Sequence, residues 1–134
     1  MQAMRLGAGM SEPKAGAISW HDLTVTDAGQ LRDFYAAVTG WQVEPVAMGD
    51  YDDYCMVPPG TDAPVAGICH ARGANAELPP QWLMYVTVEN LDQSLAACRA
   101  RGGEAIGAVR AIGADRYCVV RDPVGAVLAL YQKA

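Results

Sequence analysis

The side chains best able to do chemistry lie on two short, mostly apolar stretches. Trp20 and Asp22 alternate along the stretch Trp20-His-Asp-Leu-Thr-Val-Thr-Asp27, and Tyr85 lies in a similar stretch over residues 82–89. Residues two apart on a β-strand point to the same face, so Trp20 and Asp22 should lie side by side. An enclosed carboxyl binds cations or hydroxyl groups, or acts as a base. Trp20 adds a stacking wall, and Tyr85 adds a ring with a hydroxyl group.

A second polar stretch, Cys69-His-Ala-Arg-Gly-Ala-Asn75, supplies His70 and Arg72. If the preceding strand is unbroken, His70 shares the face of Ala66 and Ile68, which we expect to line a cavity. Imidazole titrates at about pH 6.5, so histidine is suited to proton transfer at neutral pH. Arginine can hold a carboxylate or phosphate through two hydrogen bonds. The sequence therefore predicts a binding site built from Trp20, Asp22, His70, Arg72 and Tyr85, and it assigns no catalytic residue.

Each of these residues also has a purely structural interpretation. Trp20 can be ordinary core packing, Arg72 can tie down a connecting loop, and Asp22 can be an exposed carboxylate or an ion-pair partner of Arg72. His21 has the parity of Leu23, so we expect it at the rim of the face that packs on a helix. Three further acidic residues surround two tyrosines, and we interpret them most simply as a solvated turn. They are Asp50, Asp52 and Asp53.

The chain repeats itself at an offset of 63 residues. Residues 20–57 align with 83–120 without a gap, and the matches include Thr24 with Thr87 and the pair Tyr54-Cys55 with Tyr117-Cys118. Repeats of this kind mark duplicated structural units. We therefore expect Tyr54 and Tyr117 to occupy equivalent positions in two modules.

Each module is predicted to contain a strand, a helix and three further strands. The first strands are expected over 18–26 and 82–89, and the later ones near 41–47, 51–57, 64–71, 104–110, 116–121 and 126–132. Asp27 and Asn90 are expected N-caps. The spacing of Leu31, Phe34, Tyr35 and Val38 predicts the buried face of the first helix, and Leu91, Leu95 and Cys98 that of the second.

The predicted fold class is α+β, with two tandem βαβββ modules that form a cupped mixed sheet around a central cavity. Residues 1–17 are expected to form a flexible tail. A single domain over 18–134 would follow, with module one at 18–72 and module two at 81–132.

The two modules, the stretch from Trp20 to Asp27 and the turn Asp122-Pro-Val-Gly125 together resemble the vicinal oxygen chelate superfamily. This superfamily includes glyoxalase I, bleomycin-resistance proteins and extradiol dioxygenases, and the chain looks most like its small glyoxalase-like members. The resemblance implies metal ligands, usually His or Glu, at one position on the first and last strand of each module. Here those positions fall on Trp20, Ala66, Leu83 and Ala129, which do not ligate divalent cations. We therefore predict no metal and no cofactor.

Composition excludes several other classes of function. The 134 residues carry a net charge of −5, and 51% of them are hydrophobic, so a nucleic-acid partner and a disordered chain are both disfavoured. The four cysteines form no CxxC pair and lie in apolar runs, which favours buried free thiols and a cytoplasmic protein. No apolar run has the length of a membrane span. Unpaired sheet edges and the resemblance both favour a homodimer.

Three functions remain in competition. The leading hypothesis is a metal-free binder of a small organic molecule, as bleomycin-resistance proteins are. The alternative is an enzyme of lyase, isomerase or dioxygenase type that uses Asp22, His70 and Tyr85, or a displaced metal site. The third is an interaction module whose cavity is filled by side chains.

Overall fold

The computed structural model describes residues 14–134. Residues 1–13 of the predicted tail therefore lie outside the described part of the chain. The elements, in chain order, are β1 (Ile18–Val25), α1 (Ala28–Thr39), β2 (Gln42–Ala47), β3 (Asp52–Val57), β4 (Ala66–His70), β5 (Trp82–Thr87), α2 (Leu91–Ala100), β6 (Glu104–Ile112), β7 (Asp115–Arg121) and β8 (Val127–Gln132). This is the predicted order of strand, helix and three strands, twice.

The described residues form two compact units, one of residues 20–82 and the other of 14–19 together with 83–134. In the first unit the strand order is β2-β3-β4-β1, and in the second it is β5-β8-β7-β6. The first and last strand of each unit run parallel, and the other pairs are antiparallel. The predicted α+β class with mixed strand pairing is confirmed.

Both helices begin where their capping residues predict. The Asp27 carboxylate accepts a hydrogen bond of 3.0 Å from the backbone N–H of Gln30, and the Asn90 side chain does the same for Gln93. These bonds satisfy donors that have no partner within the helix. At the other end of α1, Gly40 adopts a left-handed φ of 80°, which ends the helix without a steric penalty.

Helix α1 covers one face of the first unit's sheet. Ala28 packs there with Tyr54, Met56, Ala66 and Ile68, and the helix adds Leu31, Tyr35 and Ala36. The prediction that Phe34 and Val38 also belong to the buried face is wrong, because they are 53% and 64% exposed. Ala28 lies three residues before Leu31 and Leu31 four before Tyr35, so the buried stripe is rotated toward these residues.

The second unit repeats this arrangement with α2. Leu91 and Leu95 pack with Cys118 and Val120, and partly buried residues of the neighbouring strands surround them, including Leu128 and Leu130. The three residues predicted for the buried face of α2 all lie in this cluster. Each helix therefore covers one side of its own four strands and leaves the alternate strand residues on the other side.

Strand register confirms part of the predicted repeat and corrects the rest. Thr24 pairs with Cys69 and Thr87 with Tyr131, so both threonines hold the same place on the first strand of their unit. Tyr54 and Tyr117 do not correspond. Tyr54 packs on the α1 side, whereas the neighbour of Tyr117, Cys118, packs on the α2 side.

The mismatch arises because the offset of 63 residues holds only as far as the helices. Asp22 pairs with Gly67 and Tyr85 with Ala129, so the last strands correspond at an offset of 62. A register shift interrupts β6 between Ile106 and Arg110, next to a left-handed Gly107. A shift of one residue moves a side chain to the opposite face of the sheet.

The structure also bears on predictions about the N-terminal residues, the cysteines and membrane-spanning helices. Gly16 and Ala17, placed by the sequence in the tail, hydrogen-bond through their backbones to Thr87 at 2.7 and 2.9 Å. None of the four cysteines forms a disulfide; Cys55, Cys69 and Cys118 are buried, as expected, whereas Cys98 is half-buried. Among the described helices, none is long and apolar enough to cross a membrane.

Gly103 is the position at which the end of α2 leaves no room for a side chain. A Cβ atom there would lie 2.6 Å from Cys98 Sγ and 2.8 Å from the carbonyl oxygen of Arg121. We expect Gly103→Ala to lower the free energy of unfolding by about 1–3 kcal/mol, as overpacking does. Urea denaturation measures this change. Gly29→Ala is the control, because its Cβ would meet nothing nearer than 3.7 Å; equal losses in the two variants would contradict the packing.

Candidate functional site

Trp20 and Asp22 lie on the strand face that α1 does not cover. Leu23 of β1 pairs with Ile68 on the α1 side, so the alternate residue Asp22 points away from the helix. The Trp20 indole N–H donates a hydrogen bond of 3.1 Å to Asp22 Oδ1, and the Cys69 thiol approaches the same oxygen at 3.8 Å. Asp22 is fully buried and Trp20 nearly so. The predicted face of these two residues is confirmed, and Asp22 is neither exposed nor paired with Arg72.

This enclosure changes the acidity of two groups. Burial raises the pKa of Asp22, and the Asp53 carboxylate raises it further, while the hydrogen bonds from Trp20 and Cys69 oppose the rise. Burial, and then the charge of Asp22, raise the pKa of the Cys69 thiol well above its ordinary value. Asp22 is therefore a carboxyl that tends to keep its proton, and Cys69 is not a thiolate nucleophile.

His70 lies elsewhere than predicted. Ala66 and Ile68 pack on the α1 side, and His70 pairs with Val25 of β1, so the parity we used separates His70 from Trp20 and Asp22. The prediction that His70 shares their face is wrong. The one-residue difference between the repeat offset and the true register of β4 explains the error.

His70 instead contacts Asp53, which the sequence placed in a solvated turn. The backbone N–H of His70 donates to Asp53 Oδ1 at 2.9 Å, and the ring nitrogen Nδ1 lies 3.3 Å from the same oxygen. Asp53 is buried, whereas 18% of the His70 side chain is exposed. Alternation along the predicted strand 51–57 was a signal for Asp53, because it shares the parity of the buried Cys55 and Val57.

Tyr51 brings His70 and Arg72 together. The His70 ring meets Tyr51 edge-on with ring centroids 5.3 Å apart, and the Arg72 guanidinium lies 4.0 Å from the Tyr51 centroid. Arg72 is half exposed, and its ion pair with the exposed Asp50 is 3.6 Å long. We call Tyr51, Asp53, His70 and Arg72 the Tyr51 cluster. Of the residues predicted for the site, this cluster contains His70 and Arg72, and solvent reaches both.

Tyr85 belongs to the second unit. It is 1% exposed, and its ring centroid lies 6.1 Å from that of Tyr117. Both tyrosines lie on the face that α2 does not cover. Cys118, the neighbour of Tyr117 on β7, packs on that helix, and Tyr85 pairs with Ala129, whose neighbours Leu128 and Leu130 on β8 pack on it too. Tyr85 therefore holds the place in its unit that Asp22 holds in the first.

An apolar pocket of about 340 Å³ lies on the first unit, lined by His21, Trp41, Val65, Ala66 and Trp82. The Trp82 indole N–H donates to the Tyr35 hydroxyl at 3.0 Å, and the Trp41 and Trp82 rings meet edge to face. His21 is exposed and shares this pocket with Ala66 of the α1 core, as its predicted place at the helix-side rim requires.

The family model for the glyoxalase-like domain matches residues 20–131. The chain belongs to the glyoxalase-like domain family. It is 31% identical over 125 residues to CFP32 of Mycobacterium bovis, whose name describes it as a glyoxylase, and 25% identical over 130 residues to the anthracycline biosynthesis protein DnrV of Streptomyces peucetius. The matches cover 91% and 88% of this chain but 48% and 47% of those proteins. This glyoxalase-like chain thus spans about half the length of the curated relatives it matches.

Solved structures of the wider superfamily share the fold. A glyoxalase/bleomycin resistance protein/dioxygenase superfamily member from Vibrio splendidus matches with a TM-score of 0.55 at 15% identity, covering 85% of this chain and 97% of that one. Methylmalonyl-CoA epimerase from Mycobacterium tuberculosis matches with a TM-score of 0.52 at 15% identity, covering 91% and 93%. Identities this low establish the likeness of fold alone.

The residues of this glyoxalase-like chain do not fit the metal that the superfamily resemblance implies. The register replaces Ala66 by Gly67 as the last-strand position of the first unit, since Gly67 pairs with Asp22 as Ala129 pairs with Tyr85. The four positions are therefore Trp20, Gly67, Leu83 and Ala129, and none has a carboxylate, imidazole or thiolate. Within residues 14–134, no three His, Cys, Asp or Glu side chains are grouped to hold a metal ion.

The raised pKa of Asp22 has a consequence for stability. A carboxyl whose pKa is raised by folding favours the folded state below about pH 4, and this contribution is lost as pH rises through the higher value. Asn stays neutral at every pH, so Asp22→Asn should raise Tm at pH 8 and change it little at pH 4. One pKa unit is worth about 1.4 kcal/mol, or roughly 3–5 °C for a domain of this size.

Calorimetry at both pH values measures this difference. Asp62→Asn is the matched control, because Asp62 is exposed. The difference in Tm between this variant and the unaltered protein should be the same at pH 4 and pH 8. A gain for Asp22→Asn that is equal at both pH values, or a lower Tm at pH 8, would contradict the buried carboxyl.

Proposed function

We propose that this glyoxalase-like protein binds a small organic molecule without a divalent metal. The observation that carries the proposal is the substitution of the four ligand positions by Trp20, Gly67, Leu83 and Ala129. A site built from these residues has no donor to hold Zn²⁺, Fe²⁺ or Mn²⁺. The place where the ligand binds then depends on which polar side chains of the protein it can reach.

The Tyr51 cluster is the proposed binding site. A ligand needs a few polar groups that solvent reaches, set beside apolar or aromatic surface. His70 and Arg72 are partly exposed, whereas Asp22 and Tyr85 are enclosed. An arginine that stacks on an aromatic ring provides a flat surface for a planar molecule. Trp20 and Asp22 of β1 are enclosed within the first unit. Tyr85 has the corresponding enclosed position in the second unit.

The charges around the cluster favour a neutral or cationic ligand. Asp50 pairs with Arg72 at 3.6 Å and Asp53 lies against His70, so the residues of the cluster contact two carboxyl groups and contain one guanidinium. An anion would meet repulsion from these carboxylates, and the net charge of −5 adds to it. The proposed ligand is therefore a planar organic molecule that carries no negative charge.

Burial also limits which residues could act in the enzymatic alternative. Of the residues it invokes, Asp22 and Tyr85 are at most 1% exposed, so a substrate cannot reach them in this conformation. His70 is the member of that set with an accessible side chain.

Two measurements test the proposal. Elemental analysis of protein purified without a metal-affinity tag should find far less than one divalent ion per chain. A thermal-shift screen of planar aromatic amines, phenols and aromatic acids should give stabilisation from the amines and phenols. Tyr51→Ala and Arg72→Gln should each weaken the binding of a confirmed ligand at least about fivefold, since stacking is worth about 1–3 kcal/mol.

Arg121→Gln is the control, because Arg121 is a surface arginine that pairs with Glu104 in the second unit. Affinity unchanged in both Tyr51 cluster variants would contradict the site. One bound transition-metal ion per chain would contradict the metal-free proposal.

We also propose that the protein is a homodimer. Strands β2 and β6 each end the strand order of their unit, and an open edge can pair with another chain. Sedimentation equilibrium at micromolar concentration should give twice the 14.2 kDa of one chain. Val109→Lys on β6 should lower that mass, whereas Val124→Lys in an exposed turn should not. A mass of one chain for the unaltered protein would contradict the dimer.

A further inference from the structure

His70 and Asp53 are held together by two contacts to a single oxygen. The backbone N–H of His70 and its ring nitrogen Nδ1 both approach Asp53 Oδ1, at 2.9 and 3.3 Å. The carboxylate is buried, and the imidazole is also held edge-on against Tyr51 and tilted against Tyr54, at centroid distances of 5.3 and 6.3 Å. The ring of His70 therefore has a defined orientation.

This contact decides which ring nitrogen carries the proton in the neutral imidazole. A carboxylate oxygen only accepts hydrogen bonds, so the nitrogen that faces it, Nδ1, holds the hydrogen. The other nitrogen, Nε2, then presents its lone pair. Within residues 14–134, Nε2 has no hydrogen-bond partner, and 18% of the side chain is exposed.

We propose that His70 and Asp53 form an acid–base dyad that moves a proton to and from a molecule bound at the Tyr51 cluster. His70 is the catalytic residue of this proposal, and Asp53 is its positioning residue. The inference rests on the binding site proposed above and adds an activity to it. A carboxylate that fixes the tautomer and balances the imidazolium charge is a recurring way to make histidine an effective base.

The substrate class follows from the charges around the dyad. Asp53 lies against His70 and Asp50 pairs with Arg72, and these carboxyl groups disfavour an anionic substrate, so the substrate is an uncharged organic molecule with a hydroxyl group, such as a phenol or an enol. In the forward step the O–H bond breaks, its proton passes to Nε2, and the electron pair stays on the substrate oxygen, whose negative charge the new imidazolium balances. The imidazolium then faces Asp53, and the reverse step returns the proton.

The lone pair of Nε2 can be tested without the natural substrate by using p-nitrophenyl acetate. Nε2 adds to the ester carbonyl carbon, the carbon–oxygen bond breaks and p-nitrophenolate leaves. The acetylimidazolium that forms keeps its Nδ1 proton. Water adds to its carbonyl carbon, the carbon–nitrogen bond breaks, acetate leaves with the neutral ring restored, and the two protons of the water pass to the solvent. The chain has two histidines, so His21→Gln leaves His70 as the single imidazole.

We expect the His21→Gln protein to release p-nitrophenolate faster than free imidazole at the same concentration. Adding His70→Gln should lower the rate at least about tenfold, and adding Asp53→Asn should lower it several-fold, which is modest beside the usual range for general acid–base catalysis. Asp53→Glu should recover part of the loss, and Arg121→Gln should change nothing. Equal rates with and without His70 would overturn the proposal.

Nitrogen-15 NMR of the His21→Gln protein measures the tautomer of His70. If Asp53 contributed only to packing, replacing it would leave this tautomer unchanged. The His70 ring should show a protonated Nδ1 and an unprotonated Nε2, and Asp53→Asn should mix the two tautomers. A protonated Nε2 in the neutral ring of the His21→Gln protein would overturn the dyad, even if the ester rates agree with it.

The two proposals fail in different ways. A small-molecule screen without a hit, together with rapid ester hydrolysis by His70, would contradict the binding site and leave the dyad supported. Confirmed ligands together with hydrolysis no faster than that of free imidazole would overturn the dyad alone.

Discussion

Each four-stranded sheet has one face packed on a helix, and this packing decides where the other side chains point. In the first unit, Ala28 and Leu31 of α1 pack on Ile68 and its neighbours. Because strand residues alternate, the residues between them are turned to the other face, and Asp22 is one of these. A register slip that exposed the aliphatic residues would cost about 1.5–3 kcal/mol for each of them. The apolar packing on α1 thus holds a carboxyl group in an enclosed position that its own hydration would oppose.

The enclosed carboxyl is tolerated because its surroundings supply hydrogen bonds. An isolated ionised carboxylate in an apolar interior is so unfavourable that the group tends to take up a proton instead. The Trp20 indole and the Cys69 thiol both approach Asp22 Oδ1, and they partly offset the effects of burial and of Asp53. The pair of Trp20 and Asp22 therefore fixes a large ring at the first-strand position where the superfamily resemblance implies a metal ligand. A side chain anchored in this way occupies the place where a metal would need a donor.

Local patterns in the sequence were enough to predict the elements and the face of the first strands. The capping residues Asp27 and Asn90 act on backbone groups three residues away, so they can be read without knowing the tertiary fold. The faces of His70 and Tyr117 depend on loop lengths and on a bulge in β6, which the repeat of 63 residues does not reveal. The pairing of Asp53 with His70 joins residues 17 apart, and only the register of β3 with β4 brings them together.

The changes at the metal positions and the Tyr51 cluster are related by the geometry of the first unit. When the strand positions hold Trp20 and Gly67, no charged group remains there to polarise a substrate. His70 and Arg72, which solvent can reach, lie instead at one end of the sheet, where β3 begins and β4 ends. At that end of the sheet a buried carboxylate orients a partly exposed imidazole, and the dyad that we propose rests on this contact.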